Sequence, residues 1–290
     1  MTKNLDYKGL NSIADNYDLF YIDLWGVVHN GINLHKQAIR VLEELVKMEK
    51  KFVLLTNAPR PTNIVTRQLE KMGMKKILRD HVFTSGQAAL LFLKKNYRWK
   101  IFFHIGPPKD FDLFNDFREF KQNEINKSEY LLCSGLFEDH FEDLGYYKNL
   151  LEQHIDKTMI CTNPDLIVDK GDTRELCAGS VAMVFEKMGG KVVYFGKPHQ
   201  EVYDLSIDNS NKKILAIGDN LNTDIRGANL LNYDSLLISN GIHKEEIKNK
   251  GLQFVAKEYE VVVNYIQSDL KWWNIIKVLT FKKHIEDQLF

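Results

Sequence analysis

The chain of 290 residues lacks most of what would mark a secreted, membrane-embedded or nucleic-acid-binding protein. Its three cysteines, Cys133, Cys161 and Cys177, are widely spaced and form no CxxC pair. Neither a disulfide framework nor a thiolate zinc site is expected, and a reducing cytoplasm is the favoured compartment. Charge of one sign is also missing: 39 Lys and Arg balance 39 Asp and Glu, so no global field draws nucleic acid or an anionic membrane. No apolar run approaches the length of a membrane span, and the opening residues MTKNLDYKGLNSIADNYDLF lack the apolar segment of a signal peptide. No internal repeat, low-complexity tract or Gly/Ser linker divides the chain. What is present is a 44% hydrophobic content, enough for one large domain or two modest ones with real cores.

The apolar residues are arranged as short β-branched runs alternating with longer amphipathic stretches. DLFYIDLW (18–25) reads as a strand, LHKQAIRVLEELVKMEK (34–50) as a helix through Ile39, Leu42, Leu45 and Val46, and KFVLLTN (51–57) as a second strand. The alternation continues through HVFTSG, KIFFHIG, YLLCSG, TMICTNPD, VVYFGKP, KILAIGDN and SLLISNG. Strand, helix, strand in this order predicts a parallel α/β sheet with right-handed crossovers, and such sheets bind ligands at the carboxyl ends of their strands.

Four strand ends carry distinctive residues. Asp23 lies in a turn followed by Gly26 and Gly31; Thr56 and Asn57 follow an apolar strand; Lys197 stands between Gly196 and Pro198; Asp219 and Asp224 flank a helix start. Taken singly, each has a bland reading as a turn carboxylate, a helix cap or a solvated lysine. The acidic pair is also a plausible site for a hard cation, which seeks carboxylate oxygens.

In this order the four motifs resemble the haloacid dehalogenase-like (HAD) superfamily, and the roughly one hundred residues between the Thr and Lys motifs make the chain similar to its class IIA group. That group includes nitrophenyl-phosphate, sugar-phosphate and pyridoxal-phosphate phosphatases. The resemblance covers roughly residues 15–265. It implies a Rossmann-like, doubly wound parallel core formed by residues 1–83 and 191–267, an inserted α/β cap of the C2 type over 84–190, and a C-terminal amphipathic extension over 268–290. It also implies a Mg²⁺-dependent phosphatase acting on a small phosphorylated metabolite. Asp23 would be the nucleophile, forming an aspartyl-phosphate, while Thr56 and Asn57 would contact the phosphoryl oxygens. Lys197 would balance charge and orient Asp23. Mg²⁺ would be held by Asp23, Asp219, Asp224 and the main-chain carbonyl of Trp25. No nucleic-acid partner and no integral membrane segment are expected, and the inserted segment leaves a homo-oligomer open.

Trp25 departs from the family pattern, which has an Asp two positions after the nucleophile as general acid and base. An indole N–H neither protonates a leaving alkoxide nor takes a proton from water. Substrates whose leaving group needs little protonation, such as aryl and acyl phosphates and phosphoanhydrides, are therefore expected to be favoured over alkyl phosphates. DLWG at 23–26 is similar to the first motif of a subgroup within class IIA. His29 and His199 are candidate substitutes for the missing acid, with a structural role the favoured reading of each.

In the inserted segment, Asn163 and Asp165 are candidate substrate contacts although Asn-Pro-Asp is also an ordinary turn, and Ser180 is expected to N-cap a helix. At the C-terminus, Trp272, Trp273, Ile276, Leu279 and Phe281 predict an amphipathic helix, docking on its own domain in preference to a membrane or partner. Two alternatives stand against the hydrolase. One is a phospho-ligand binding or regulatory protein with little turnover. The other, a dinucleotide-binding enzyme, lacks the glycine-rich fingerprint after its first strand.

Overall fold

The computed structural model describes residues 2–170 and 173–273. In chain order its strands are β1 (Lys3–Asn4), β2 (Leu19–Ile22), β3 (Lys51–Thr56), β4 (Val82–Thr84), β5 (Phe102–Ile105), β6 (Lys121–Gln122), β7 (Tyr130–Cys133), β8 (Thr158–Cys161), β9 (Ile167–Lys170), β10 (Thr173–Leu176), β11 (Lys191–Tyr194), β12 (Ile214–Gly218), β13 (Asp234–Ile238) and β14 (Tyr265–Gln267). Seven of them form a parallel sheet in the order β1-β14-β13-β12-β2-β3-β4. Five form a second parallel sheet in the order β11-β8-β7-β5-β6, and β9 pairs antiparallel with β10.

The core strands are apolar throughout because both of their faces are covered. Every residue of β2 and of β12 is buried, the pattern of a parallel sheet with layers on each side. Phe20 and Ile22 point to one face, where they meet Ala38, Val41, Leu42 and Leu45 of the helix Lys36–Lys47. Those four recur at helical spacing, which is what lets one helix face seal one sheet face. Leu19 and Tyr21 point to the other face, as the period of a strand requires. There they pack with Ala88, Ala89 and Leu93 of the helix Ser85–Asn96, and the same cluster continues into Phe102, Tyr130, Leu132 and Ile160 of the second sheet. One hydrophobic cluster thus ties the two sheets together.

The chain order places the switch of the first sheet at its centre. From β2 the chain runs outward through β3 and β4, then returns to the opposite side of β2 with β12 and continues outward through β13 and β14. Ile22 and Ile217 are register partners, and Asp23 N–H donates to the Ile217 carbonyl at 2.8 Å. Asp23 and Asp219 therefore leave the sheet next to each other, at the point where ligand crevices open in this architecture.

Several expectations need correction. The boundary expected at residue 190 falls one strand early, because Lys191–Tyr194 pairs with Thr158–Cys161 in the second sheet. The helix Ser85–Asn96, expected to belong to the inserted segment, packs on the first sheet. Ser180 does not cap a helix: the helix begins at Ala178, Cys177 occupies the cap position, and the Ser180 hydroxyl donates to the Leu166 carbonyl at 2.6 Å. Of the C-terminal stripe, Ile276, Leu279 and Phe281 lie outside the described residues. Trp272 packs against the first core cluster, while Trp273 donates its backbone N–H to Asn11 Oδ1 and its indole N–H to the Asp6 carbonyl. Among the described residues, no helix is long and apolar enough to cross a membrane.

Gly179, in the first turn of the helix Ala178–Lys187, is a packing constraint. A Cβ there would sit 2.3 Å from the Pro164 carbonyl oxygen and 2.5 Å from that of Asp165, and both are backbone atoms with little freedom to yield. Gly179→Ala is expected to cost about 1–3 kcal/mol, read as a lower denaturation midpoint. An unchanged midpoint would show that the Asn163–Asp165 turn is not held against this helix.

Candidate active site

A chain of charges joins three of the strand ends. Lys197 Nζ lies 2.5 Å from Asp23 Oδ1 and 2.7 Å from Asp224 Oδ1, with all three side chains buried. Asp224 Oδ2 also accepts the Asn220 N–H at 3.1 Å, which fixes the carboxylate at the start of the helical turn after β12. Asp219 accepts the Ile242 N–H at 3.0 Å. Gly26, at φ +79°, lets the DLWG turn pass so close that a Cβ there would lie 2.2 Å from Asp219 Oδ2. The left-handed conformation and the close approach both require glycine at this position.

Carboxylate oxygens of Asp23, Asp219 and Asp224 lie within 4.8 Å of one another. Burial works against the Lys197 ammonium but is outweighed by Asp224 and Asp23, which hold it above its ordinary value. Burial lifts the Asp23 carboxyl well above the carboxylate range; Lys197 opposes that rise, and Asp224 and Asp219 add to it. Asp219 is pushed up to about 7, first by burial and then by Asp224. Three carboxylates thus share one ammonium, and the deficit of positive charge fits a hard divalent cation with oxygen ligands.

The three carboxylates, Lys197, Trp25, Thr56, Asn57 and Asp165 all line one cavity of about 430 Å³. Thr56 ends β3, and its hydroxyl accepts the Ala58 N–H at 3.3 Å. Asn57 is placed differently from expectation. Its Nδ2 donates to Asp165 Oδ1 at 2.9 Å and to the Lys197 carbonyl at 3.0 Å, while its Oδ1 accepts the Lys197 N–H at 2.7 Å. The amide is used up in clamping the Lys197 loop and the Asp165 turn to β3, so Asn57 is a positioning residue. Asn163 is not among the residues lining the cavity, since its Oδ1 accepts the Asp165 N–H at 2.9 Å and folds the turn on itself. Asp165 does reach the cavity, and burial lifts its carboxyl to about 6 against the pull of the Asn57 hydrogen bond.

Trp25 lines the cavity with its indole against Gly31 and edge-on to His29, ring centroids 5.2 Å apart. His29 is buried and held down to about 4 by that burial, and its Nδ1 accepts the Gly31 N–H at 2.9 Å. It braces the turn and is not among the cavity's lining residues. His199 stands outside this cavity as well, stacked on Tyr194. The sequence carries no signal for His35, Ile167, Val168 and Ile242, which also line the cavity. His35 precedes the helix Lys36–Lys47, Ile242 lies in a turn, and Ile167 and Val168 open β9, with no motif to flag them.

Comparison with known proteins follows the same lines. Residues 20–146 match a family model described as haloacid dehalogenase-like hydrolase, and residues 194–267 match a second, HAD-hydrolase-like one. A solved hydrolase of the haloacid dehalogenase-like family from Brucella suis is 32% identical, covering 81% of this chain and 90% of that one, with a TM-score of 0.73. The p-nitrophenyl phosphatase from Archaeoglobus fulgidus is 19% identical, covering 88% of this chain and 97% of its own, with a TM-score of 0.68, and shows the shared fold. Phosphoglycolate phosphatase 2 from Arabidopsis thaliana is 23% identical over 90% of this chain and 96% of its own length.

The buried carboxyls carry a pH signature. Unfolded, Asp219 releases its proton near its ordinary value of 3.8; folded and metal-free, near 7. Between those values the folded state binds more protons, so this group's contribution to stability falls as pH rises through that window. In chelator at about pH 8, Asp219→Asn is expected to raise the thermal midpoint by roughly a few degrees, with little gain at about pH 4. A variant less stable than the parent at the higher pH would mean that Asp219 is not under charge strain.

Proposed function

Because this chain belongs to the haloacid dehalogenase-like hydrolases, we propose that it is a Mg²⁺-dependent phosphoric ester hydrolase working through an aspartyl-phosphate on Asp23. The observation that carries this reading is the buried Asp23–Lys197–Asp224 chain beside Asp219, at the carboxyl ends of β2 and β12 and open to a cavity. A pure binding site for phosphate would place cations and N–H groups there and would have no use for a cluster of carboxylates.

Asp23 attacks phosphorus, forming an Asp23 Oδ–P bond as the bond from phosphorus to the leaving oxygen breaks. Water then attacks the same phosphorus, the bond to Asp23 breaks, and inorganic phosphate departs. Lys197 holds Asp23 in line through its 2.5 Å contact and stays charged throughout. Thr56 supplies a hydroxyl to the phosphoryl oxygens. When bound, Mg²⁺ supplies the positive charge that lets two anions meet, and Asp23, Asp219, Asp224 and the Trp25 carbonyl are the groups that would hold it. Trp25 offers no proton to the leaving oxygen, which is why aryl phosphates, acyl phosphates and phosphoanhydrides suit this site better than alkyl phosphates. The same residue supports a second reading, a phospho-ligand sensor with slow turnover, in which the aspartyl-phosphate forms and persists because no base activates water.

Two variants separate these readings. Hydrolysis of p-nitrophenyl phosphate is expected to need Mg²⁺ and to vanish in Asp23→Asn, because the amide removes the attacking charge; activity persisting in that variant, with its fold intact by circular dichroism, would remove Asp23 from the mechanism. Trp25→Asp is expected to raise alkyl-phosphate hydrolysis by up to about a hundredfold and aryl-phosphate hydrolysis by less, since a phenoxide departs with little protonation. An equal gain on both classes would point to relief of steric blockage by the indole.

A further inference from the structure

A second cavity, of about 710 Å³, adjoins the first, and the two share Asp165, Ile167, Asn220, Thr223 and Ile242 in their walls. It lies between the helix Ala178–Lys187, the Lys197 loop and residues 242–259. Part of its wall is apolar, formed by Leu166, Ile167, Met183 and Ile242, and Tyr194 lies flat on His199 at 5.2 Å with an interplanar angle of 2°. The charged part is rich in acceptors. Among the described residues lining it, Arg174 is the one Lys or Arg side chain, against Asp165, Glu186, Glu245 and Glu246.

His243 belongs to this wall and is only 8% exposed. Its Nδ1 lies 3.2 Å from Glu246 Oε2. The Glu246 carboxyl, despite the opposing effect of burial, is held below its ordinary value by His243, Tyr259 and Lys250. It is therefore ionised and can only accept, so Nδ1 carries the proton. Burial holds the imidazole itself below its ordinary value, against the pull of Glu246, so the ring is neutral and Nε2 presents a lone pair. That atom is buried without a hydrogen-bond partner among the described residues. Folded proteins rarely leave such a group unmatched, and what would match it is a donor, in a cavity whose charged groups are mostly carboxylates.

We propose that this second cavity receives the organic half of the substrate and selects one that presents a hydrogen-bond donor, a hydroxyl or an ammonium group, to Nε2 of His243. The assignment rests on the phosphoester reading and adds to it the class of leaving group. Its apolar wall and the stacked Tyr194–His199 pair fit the carbon frame of that group, and the acceptors fit its donor. The missing proton donor at Trp25 further directs the choice toward donor-bearing aryl or acyl phosphates.

The test uses the full-length protein with Mg²⁺ and three aryl phosphates that share a phenol-type leaving oxygen: those of tyramine, tyrosol and para-ethylphenol. The first two carry an ammonium and a hydroxyl, and the third carries neither. The wild-type protein is expected to show a KM for tyramine or tyrosol phosphate roughly tenfold below that for para-ethylphenyl phosphate, the size of one good hydrogen bond to a buried group. In His243→Phe that ratio should collapse toward one, and His243→Gln, which restores an acceptor, should recover part of it. Equal KM values for all three substrates in the wild type, or a ratio that survives in His243→Phe, would overturn the assignment of the cavity while leaving the hydrolase intact. Failure of the wild type to hydrolyse any of the three would instead overturn the phosphoester reading on which the assignment stands.

Discussion

The rest of the site depends on one buried ammonium. Lys197 is the only positive charge within hydrogen-bond distance of Asp23 and Asp224 among the described residues, and both carboxylates are buried. Isolated buried charges are costly and persist only when paired. Lys197 makes that pairing possible, yet it leaves the cluster short of positive charge once Asp219 is counted. The incomplete compensation fits a divalent cation with oxygen ligands.

Lys197 is held from outside the first sheet. Its backbone N–H and carbonyl are both bonded by the amide of Asn57, which in turn donates to Asp165 in a turn from the second sheet. Ser85 makes a parallel tie, its hydroxyl placed against the carbonyls of Ala58 and Thr162. Beneath these polar links runs the hydrophobic cluster shared by the two sheets. The geometry of Asp23 is therefore tied to the turn that follows β8, and Asp165 of that turn and Ile167 of β9 line both cavities.

Trp25 is integrated into the site. Its indole is supported by Gly31 and the neutral ring of His29, so the turn has been packed around an aromatic side chain where a carboxylate would need solvent or a hydrogen-bond donor. The indole lines the cavity beside Asp23, while Lys197, Asp219 and Asp224 keep their places. The acceptor-rich second cavity continues that theme, because it discriminates through the organic half of the ligand and leaves the phosphate contacts unchanged.

The sequence by itself determined the parallel α/β sheet and the residues at the carboxyl ends of its strands. These features are written locally, as uniformly apolar runs such as LFYI and ILAIG that end in Asp or Thr beside glycine, and their order along the chain carries the rest. It was silent on the short edge strands β1 and β14 and on the β9–β10 hairpin, which are too brief or too polar to show a period. It placed the end of the inserted segment before Lys191, because the hydrophobicity of VVY does not reveal which sheet the strand will join. Asn57 and Asn163 were legible as polar residues at strand ends, but their partners were not. Which atoms an amide satisfies depends on what the folded chain brings within 3 Å, and Asn57 meets residues 108 and 140 positions away. For the same reason only the tertiary structure could turn His243 from one histidine in a polar stretch into a buried ring with one nitrogen committed to Glu246 and the other without a hydrogen-bond partner among the described residues.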